Sequence, residues 1–326
     1  MKKIFIMLIL MLIPSVCFAE NVVYDTDFPG SDVGERINNA LLSFGEEPGK
    51  VIVSLNPATQ QFSTTILFNS KKTIDFQNTP LEYTGTQFAL AAADKDMTRP
   101  NTVTFGNPVL DSVILNLTLK VSNPCTTIVN LTAVRNCIFK NWRLSIKEKT
   151  IFNEKSAMIW LRGAHPAKLN KKEKETEERE NRVIELGPGG SHYNIFERIN
   201  MYANGQIDYG LRVKKIDSDS RSCNYNVFNR IYVVSTNGVG IYQLDGWGNA
   251  YYSPGLEQIA GKNDDHGTAM KIRGKDTTII APYVEYCKYA FNTKPENNTT
   301  VIGGFFAEVG DINKYYAGCN IFPNRE

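Results

Sequence analysis

Histidine is almost missing from this chain: three occur in 326 residues, none beside another. No Cys-x-x-Cys spacing is present either, so the sequence predicts neither a metal centre nor a cofactor. Cysteine is scarce for the length. Six occur, one of them Cys17 in the leader described next, which leaves an odd number in the remainder. That excludes a small disulfide-dense scaffold and leaves at most an occasional bridge. Most of these cysteines stand in apolar surroundings, as in Asn-Cys137-Ile-Phe and Glu-Tyr-Cys287-Lys-Tyr, which suits buried small hydrophobes.

A charge of one sign is also lacking. Lys2 and Lys3 belong to a basic start, followed by ten apolar residues (4–13), too short to span a bilayer. Val16 and Ala19 place small residues for a cut before Glu20, so residues 1–19 read as a secretory signal peptide, with a bacterial secreted or periplasmic product. A lipoprotein cut before Cys17 is the competing reading, and Pro14-Ser15-Val16 suits it poorly. Without the two lysines, Lys+Arg falls from 36 to 34 and equals Asp+Glu at 34. Nothing therefore points to nucleic acid or to global steering of a strongly anionic partner. No later apolar run is long enough for a membrane span.

Long amphipathic helices are missing too, which excludes doubly wound and barrel α/β folds. What is present is repetition. HYNIFERI (192–199) returns as NYNVFNRI (224–231) at an offset of 32, and TTIIAPY (277–283) returns as TTVIGGF (299–305) at an offset of 22. Self-similarity at such periods marks stacked solenoids. Residues 31–44 carry Val33, Ile37, Ala40, Leu41 and Phe44 at helical spacing, with Ser31 or Asp32 to cap the start. A Gly-rich turn (45–50) and a short strand (51–55) follow. Beyond them run short segments rich in Val, Ile, Thr, Phe and Leu, bounded by Asn, Gly, Pro or Asp; examples are 73–76, 113–119, 137–146, 227–234 and 301–306. Residues 168–185 break the texture with an almost wholly charged insertion, either a lid or docking arm or a surface insertion without a role.

The opening Gly30-Ser-Asp32-Val-Gly-Glu-Arg-Ile37-Asn38-Asn-Ala40-Leu41, then Gly49-Lys-Val51-Ile-Val53, resembles the entry module of the pectate-lyase-like superfamily. The later Asn-x-Phe-x-x-Ile and Gly-(Leu/Ile) units look like its rungs. The resemblance implies an all-β fold: one right-handed parallel β-helix over residues 20–326 behind an N-terminal capping helix. It also implies a polysaccharide as partner, through lyase or hydrolase chemistry or through binding alone, in a monomer or homotrimer. It does not select among these activities. Independently, thin rungs must stack to bury their inward faces, and Asn194 and Asn226 are candidates for an inward or turn ladder.

Several residues could carry chemistry. Hydrolysis of a glycan needs two flanking carboxylates; elimination needs a base and cations. Asp264, Asp265, His266 and Arg273, with Lys271 beside them, are one candidate group. They are similar to the Asp-Asp, Gly-His-Gly and Arg-Ile-Lys elements of the superfamily's hydrolases, but compressed and in another order. The alternative is a turn feeding the strand 269–272. Glu285 and Glu308 end successive similar rungs and would form a carboxylate pair if those rungs align. Asp245, Trp247, Tyr251 and Tyr252 form an aromatic, loop-like stretch suited to stacking on sugar rings, with Asp208 near in rung order. A Gly-flanked Trp serves equally well as a plug over a solenoid core.

Overall fold

The computed structural model describes residues 21–93, 97–100, 108–125, 127–147, 155–164, 190–218, 220–260, 267–313 and 319–322. The signal segment and the charged insertion lie outside them. Among the described residues twenty-four strands join one sheet, and the strands of successive turns pair in parallel. The chain is a parallel β-helix, as its repeats predict.

Three ladders run along it. Ladder A passes through Val22–Tyr24, Gly49–Ile52, Lys72–Asp75 and Val113–Leu115, and ends at Thr299–Ile302 and Cys319–Phe322. Ladder B begins at Gln60–Phe62 and Pro80–Tyr83 and reaches Gly255–Glu257 and the first half of Tyr283–Asn292. Ladder C begins at Ile66–Phe68 and Leu90–Ala92 and continues through Thr127–Thr132, Ala157–Gly163, Tyr209–Lys215, Val239–Gln243 and Thr268–Ile272. The long strands Ile138–Ile146, Ile195–Tyr202 and Val227–Val234 serve both A and B. They bend at Asn141, Arg198 and Arg230, each with φ between 56° and 59°. Corners made by one left-handed residue recur on successive turns, at Asn136, Tyr193 and Tyr225 between C and A, for example. Such a corner turns the chain without an extra loop.

The repeats fall in register. Ile195 pairs with Val227, Phe196 with Phe228, and Thr278 with Thr300. Inward, Phe139, Phe196, Phe228 and Tyr251 stack with ring centroids 4.8, 4.9 and 4.6 Å apart, all buried. One corner inward of them, Asn194, Asn226 and Asn249 form the predicted amide ladder, extended by one member. Asn194 Nδ2 donates to Asn226 Oδ1 at 2.9 Å and Asn226 Nδ2 donates to Asn249 Oδ1 at 3.1 Å. Each side-chain oxygen also accepts a backbone N–H: those of Cys137, Asn194 and Asn226. Buried amides persist because every turn presents the same partners. Cys125, Cys137, Cys223 and Cys287 are buried free thiols, and burial pushes Cys125 and Cys137 up to about 12.

The helix Val33–Ser43 closes the first turn. Asp32 caps it, accepting from the Glu35 N–H at 2.9 Å, and its other oxygen takes the Ser63 and Thr64 N–H groups. Asn38 donates to the Thr65 carbonyl and accepts from the Leu67 N–H, both at 2.8 Å. A side-chain amide thus replaces the strand that Ile66–Phe68 lacks beneath it, which blunts an open edge. Arg36 ties the helix to buried Asp25 at 3.0 Å.

Candidate functional site

Outward positions of a β-helix are free of the core, so chemistry collects there in rows one strand spacing apart. On ladder C one such row reads Asn130, Trp160, Arg212, Tyr242, Lys271 in register. Beside it runs Thr132, Arg162, Lys214. The Arg162 and Arg212 guanidinium carbons stand 4.0 and 4.4 Å from the Trp160 ring centroid. Arg212 also lies 5.0 Å from Tyr209, which stacks on Tyr242 at 5.2 Å, and the Lys271 ammonium lies 5.4 Å from Tyr242. The result is a trough of aromatic faces with cations laid against them.

Three donors of this trough stand apart from the rest. Among the described residues, Trp160 Nε1, Arg162 Nε and Arg212 Nε are buried and make no hydrogen bond. Arg212 is only 7% exposed; its one printed bond runs from Nη1 to the Lys155 carbonyl at 3.0 Å. Burial, with Arg212 adding repulsion, holds Arg162 down to about 10, and burial and Arg212 likewise depress Lys214. Cations held together against desolvation mark a place where negative charge is welcome.

Four residues singled out from the sequence border this trough. Lys271 is in its row. Asp208 precedes Tyr209–Lys215 and accepts from the Lys155 N–H. Asp245 follows Val239–Gln243 and accepts from the Lys215 N–H, while its Oδ1 is buried. Burial raises its carboxyl above the ordinary range. Arg273 faces the last turn and is spent on it, donating to the Asn292 carbonyl at 2.7 Å and to Asn292 Oδ1 at 2.6 Å. Asp264, Asp265 and His266 lie outside the described residues.

Two of the other expectations need correction. Tyr251 is fully buried in the inner aromatic stack, where its hydroxyl and Gln243 Oε1 are hydrogen-bonded at 2.9 Å. It offers no face to a sugar. The stretch read as a loop contains the strand Ala250–Tyr252, whose alternation sends Tyr251 in and Tyr252 out. Trp247 is exposed at the C-to-A corner, its Nε1–H donating to the Asp276 carboxylate, near the stacked exposed pair Tyr193 and Tyr225.

Glu285 and Glu308 do not pair. Glu285 stands opposite Ala307, and Glu308 occupies a left-handed corner one residue on, opposite no carboxylate. A slip of one residue changes the face. The carboxylate in register with Glu285 is Glu257, one turn below on ladder B. Tyr283 donates its hydroxyl to Glu285, which pushes the phenol up to about 12. Burial, then the contact with Glu257, raises Tyr232 in the same direction.

Sequence reasoning missed Trp160, Arg162, Arg212 and Lys214. The available signal was the mixture of bulky aromatic and basic residues at alternate positions of two strands; only the register brings them together.

No protein-family profile and no curated protein matches this chain. Several solved structures resemble it in fold. The Geobacillus virus E2 protein ORF18 is 15% identical over 92% of this chain, with a TM-score of 0.49; the chain spans 61% of that protein. An endo-xylogalacturonan hydrolase from Aspergillus tubingensis is 13% identical, covering 93% of each chain, with a TM-score of 0.46. The mannuronan C-5 epimerase AlgE4 A-module of Azotobacter vinelandii is 9% identical over 92% of this chain and all of its own, with a TM-score of 0.37. At these identities the likeness concerns fold alone.

Proposed function

We propose that the chain is an exported protein that binds an extended polysaccharide along the outer face of ladder C. The observation that carries this is the row Trp160, Arg212, Tyr242 with Arg162 beside it. Aromatic rings braced by cations form a regular outer row there, and the Arg162 and Arg212 Nε–H groups lack acceptors among the described residues. A solenoid face is long, shallow and regular, which fits a polymer better than a compact ligand. Affinity electrophoresis against a panel of bacterial and plant polysaccharides tests it. Retardation by at least one glycan, lost in Trp160→Ala and in Arg212→Gln, is expected. Retention unchanged in both variants removes the site, and no retention by any glycan removes the function.

Cleavage is the second reading, favoured by the register of Glu257 and Glu285. Strands about 4.8 Å apart bring two such carboxylates near the separation that retaining glycosidases use. New reducing ends released from a bound glycan, and lost in Glu257→Gln and Glu285→Gln, would support it. Unsaturated ends absorbing in the ultraviolet would instead point to elimination, with Asp245 as the base beside Lys214. An intact glycan after long incubation leaves a binding protein.

A further inference from the structure

We propose that the corner between ladders C and A carries an oxyanion site, built by Arg135, His192, Asn224 and Arg221, for a carboxylate, sulfate or phosphate group. It uses none of the trough's side chains and goes beyond the binding function just proposed. Arg135, His192 and Asn224 hold the same position on three successive turns. Arg135 bridges to His192 in parallel, and the Asn224 N–H donates to the Ser191 carbonyl at 3.1 Å. These three residues are half-buried, and Arg221 is exposed.

The row presents donors and has its acceptors taken. The Asn224 N–H also reaches His192 Nδ1 at 3.3 Å, which leaves Nε2 as the protonated nitrogen of a neutral ring. Gly190 brings no Cβ to cover that Nε2–H; one there would stand 2.1 Å from it. Asn224 Oδ1 accepts from the Trp247 N–H at 2.9 Å, so the amide NH2 is the end left over. Arg135 lies over the Tyr193 ring at 5.7 Å, and Tyr193 stacks on Tyr225 at 5.5 Å, which holds the guanidinium at the corner. Burial, then Arg135 and Arg221, hold the His192 imidazole below its ordinary value. Among the described residues neither arginine has an ion-pair partner. Asp111, one turn below Asn136, pairs with neither, and Asp276, two turns above Tyr225, is taken by Trp247 Nε1 and Asn298 Nδ2. The acceptor that these donors lack is what an oxyanion brings, and guanidinium forks suit its geometry.

The test reads the imidazole. The chain has three histidines, His165, His192 and His266, so nitrogen-15 labelling of histidine gives few signals, and His192→Gln assigns its pair. The labelled full chain is titrated at pH 7 and fixed ionic strength with sodium sulfate, inorganic phosphate, trigalacturonate and uncharged maltotriose. The His192 nitrogens are expected to shift saturably with at least one of the three anions and not with maltotriose. Arg221→Gln removes an exposed charge-assisted contact and should weaken that response about tenfold. Lys120→Gln, which removes an equal charge from the outer face of ladder B, should leave it unchanged. Trigalacturonate binding about tenfold tighter than either inorganic ion makes a sugar acid the source of the oxyanion; an equal or reversed order makes it a free ion. No saturable shift with any anion overturns the site. So does an Arg221→Gln variant that responds like the parent, or maltotriose acting like trigalacturonate. Glycan retention by the ladder C trough is read separately on the polysaccharide panel, so either reading can fail while the other stands.

Discussion

Ladders B and C present the same scaffold with opposite chemistry. On C, cations lie against rings, and Trp160 Nε1, Arg162 Nε and Arg212 Nε find no acceptor among the described residues. On B, carboxylates accompany rings, and each finds a donor nearby: Glu285 accepts from Tyr283 and Glu257 stands against Tyr232. The two rows share two turns, that of Tyr232 and Tyr242 and that of Glu257 and Lys271. The difference lies in satisfaction. The acidic face closes these hydrogen bonds within itself, whereas the basic face leaves three N–H groups, of Trp160, Arg162 and Arg212, without an acceptor among the described residues. A buried polar group without a partner costs free energy, so such groups mark where a ligand completes the structure. A solenoid permits the contrast because outward residues contribute little to its core, and each face can be set separately.

The comparison breaks most completely where the two faces share their support. Phe228 stands midway in the inner aromatic stack, fully buried between Phe196 and Tyr251. Phe228→Ala should cost about 3–5 kcal/mol and weaken both faces together. Urea denaturation reads this directly. A loss below about 1 kcal/mol would show that the stack does not bind the turns together.

Arg212→Met separates the faces. It keeps an apolar stem over Trp160 and removes a buried cation that repels Arg162 and Lys214. Glycan retention should vanish, while stability holds or rises by about 1 kcal/mol, since replacing a poorly compensated buried charge is often neutral or stabilising. A stability loss above about 2 kcal/mol would make Arg212 a strut of the fold rather than a ligand group.

Much of the fold was legible because its cause is periodic. Phe196 and Phe228 repeat inside a shared phrase, and the structure pairs them at that offset. The helix was readable from Val33, Ile37, Ala40 and Leu41, all buried, and Asp32 caps it. The site was far less legible. Glu285 was found but matched with Glu308, because similar phrases give the turn but not the residue within it. Tyr251 looked like part of a loop because glycines precede it, although strand alternation turns it inward. Trp160 and Arg212 are 52 positions apart, an offset no repeated phrase marks. Their meeting depends on register alone.

A smaller effect tests the edge of the basic face. Burial raises the Asp245 carboxyl from 3.8, although Lys215 and Lys214 pull it back. Between the unfolded value and the higher folded one, the native state keeps a proton that the unfolded chain has released. Its contribution therefore favours folding at low pH and is lost as pH rises through the folded value. Asp245→Asn keeps an oxygen for the Lys215 N–H and removes this titration. The variant should be more stable than the parent near pH 7, by up to about 1 kcal/mol, with the difference shrinking toward pH 4. Equal stability of the two proteins from pH 4 to 7 would mean that water reaches this carboxylate freely.

The smallest effect tests the acidic face. Tyr283 and Glu285 are solvent-accessible, and Glu285→Gln should leave thermal stability unchanged within error. What should move is the phenol. Its hydroxyl is held up to about 12 chiefly by the hydrogen bond to Glu285, with burial adding to it. An amide in place of the carboxylate still accepts a hydrogen bond but no longer opposes ionisation with a charge. Carbon-13 labelling of the tyrosine rings, with Tyr283→Phe to assign the signal, follows this titration directly. A midpoint shifted toward the ordinary value near 10 is expected. An unmoved midpoint would show that Glu285 does not satisfy Tyr283, and the self-satisfied character of ladder B would then fail at the residue that best displays it.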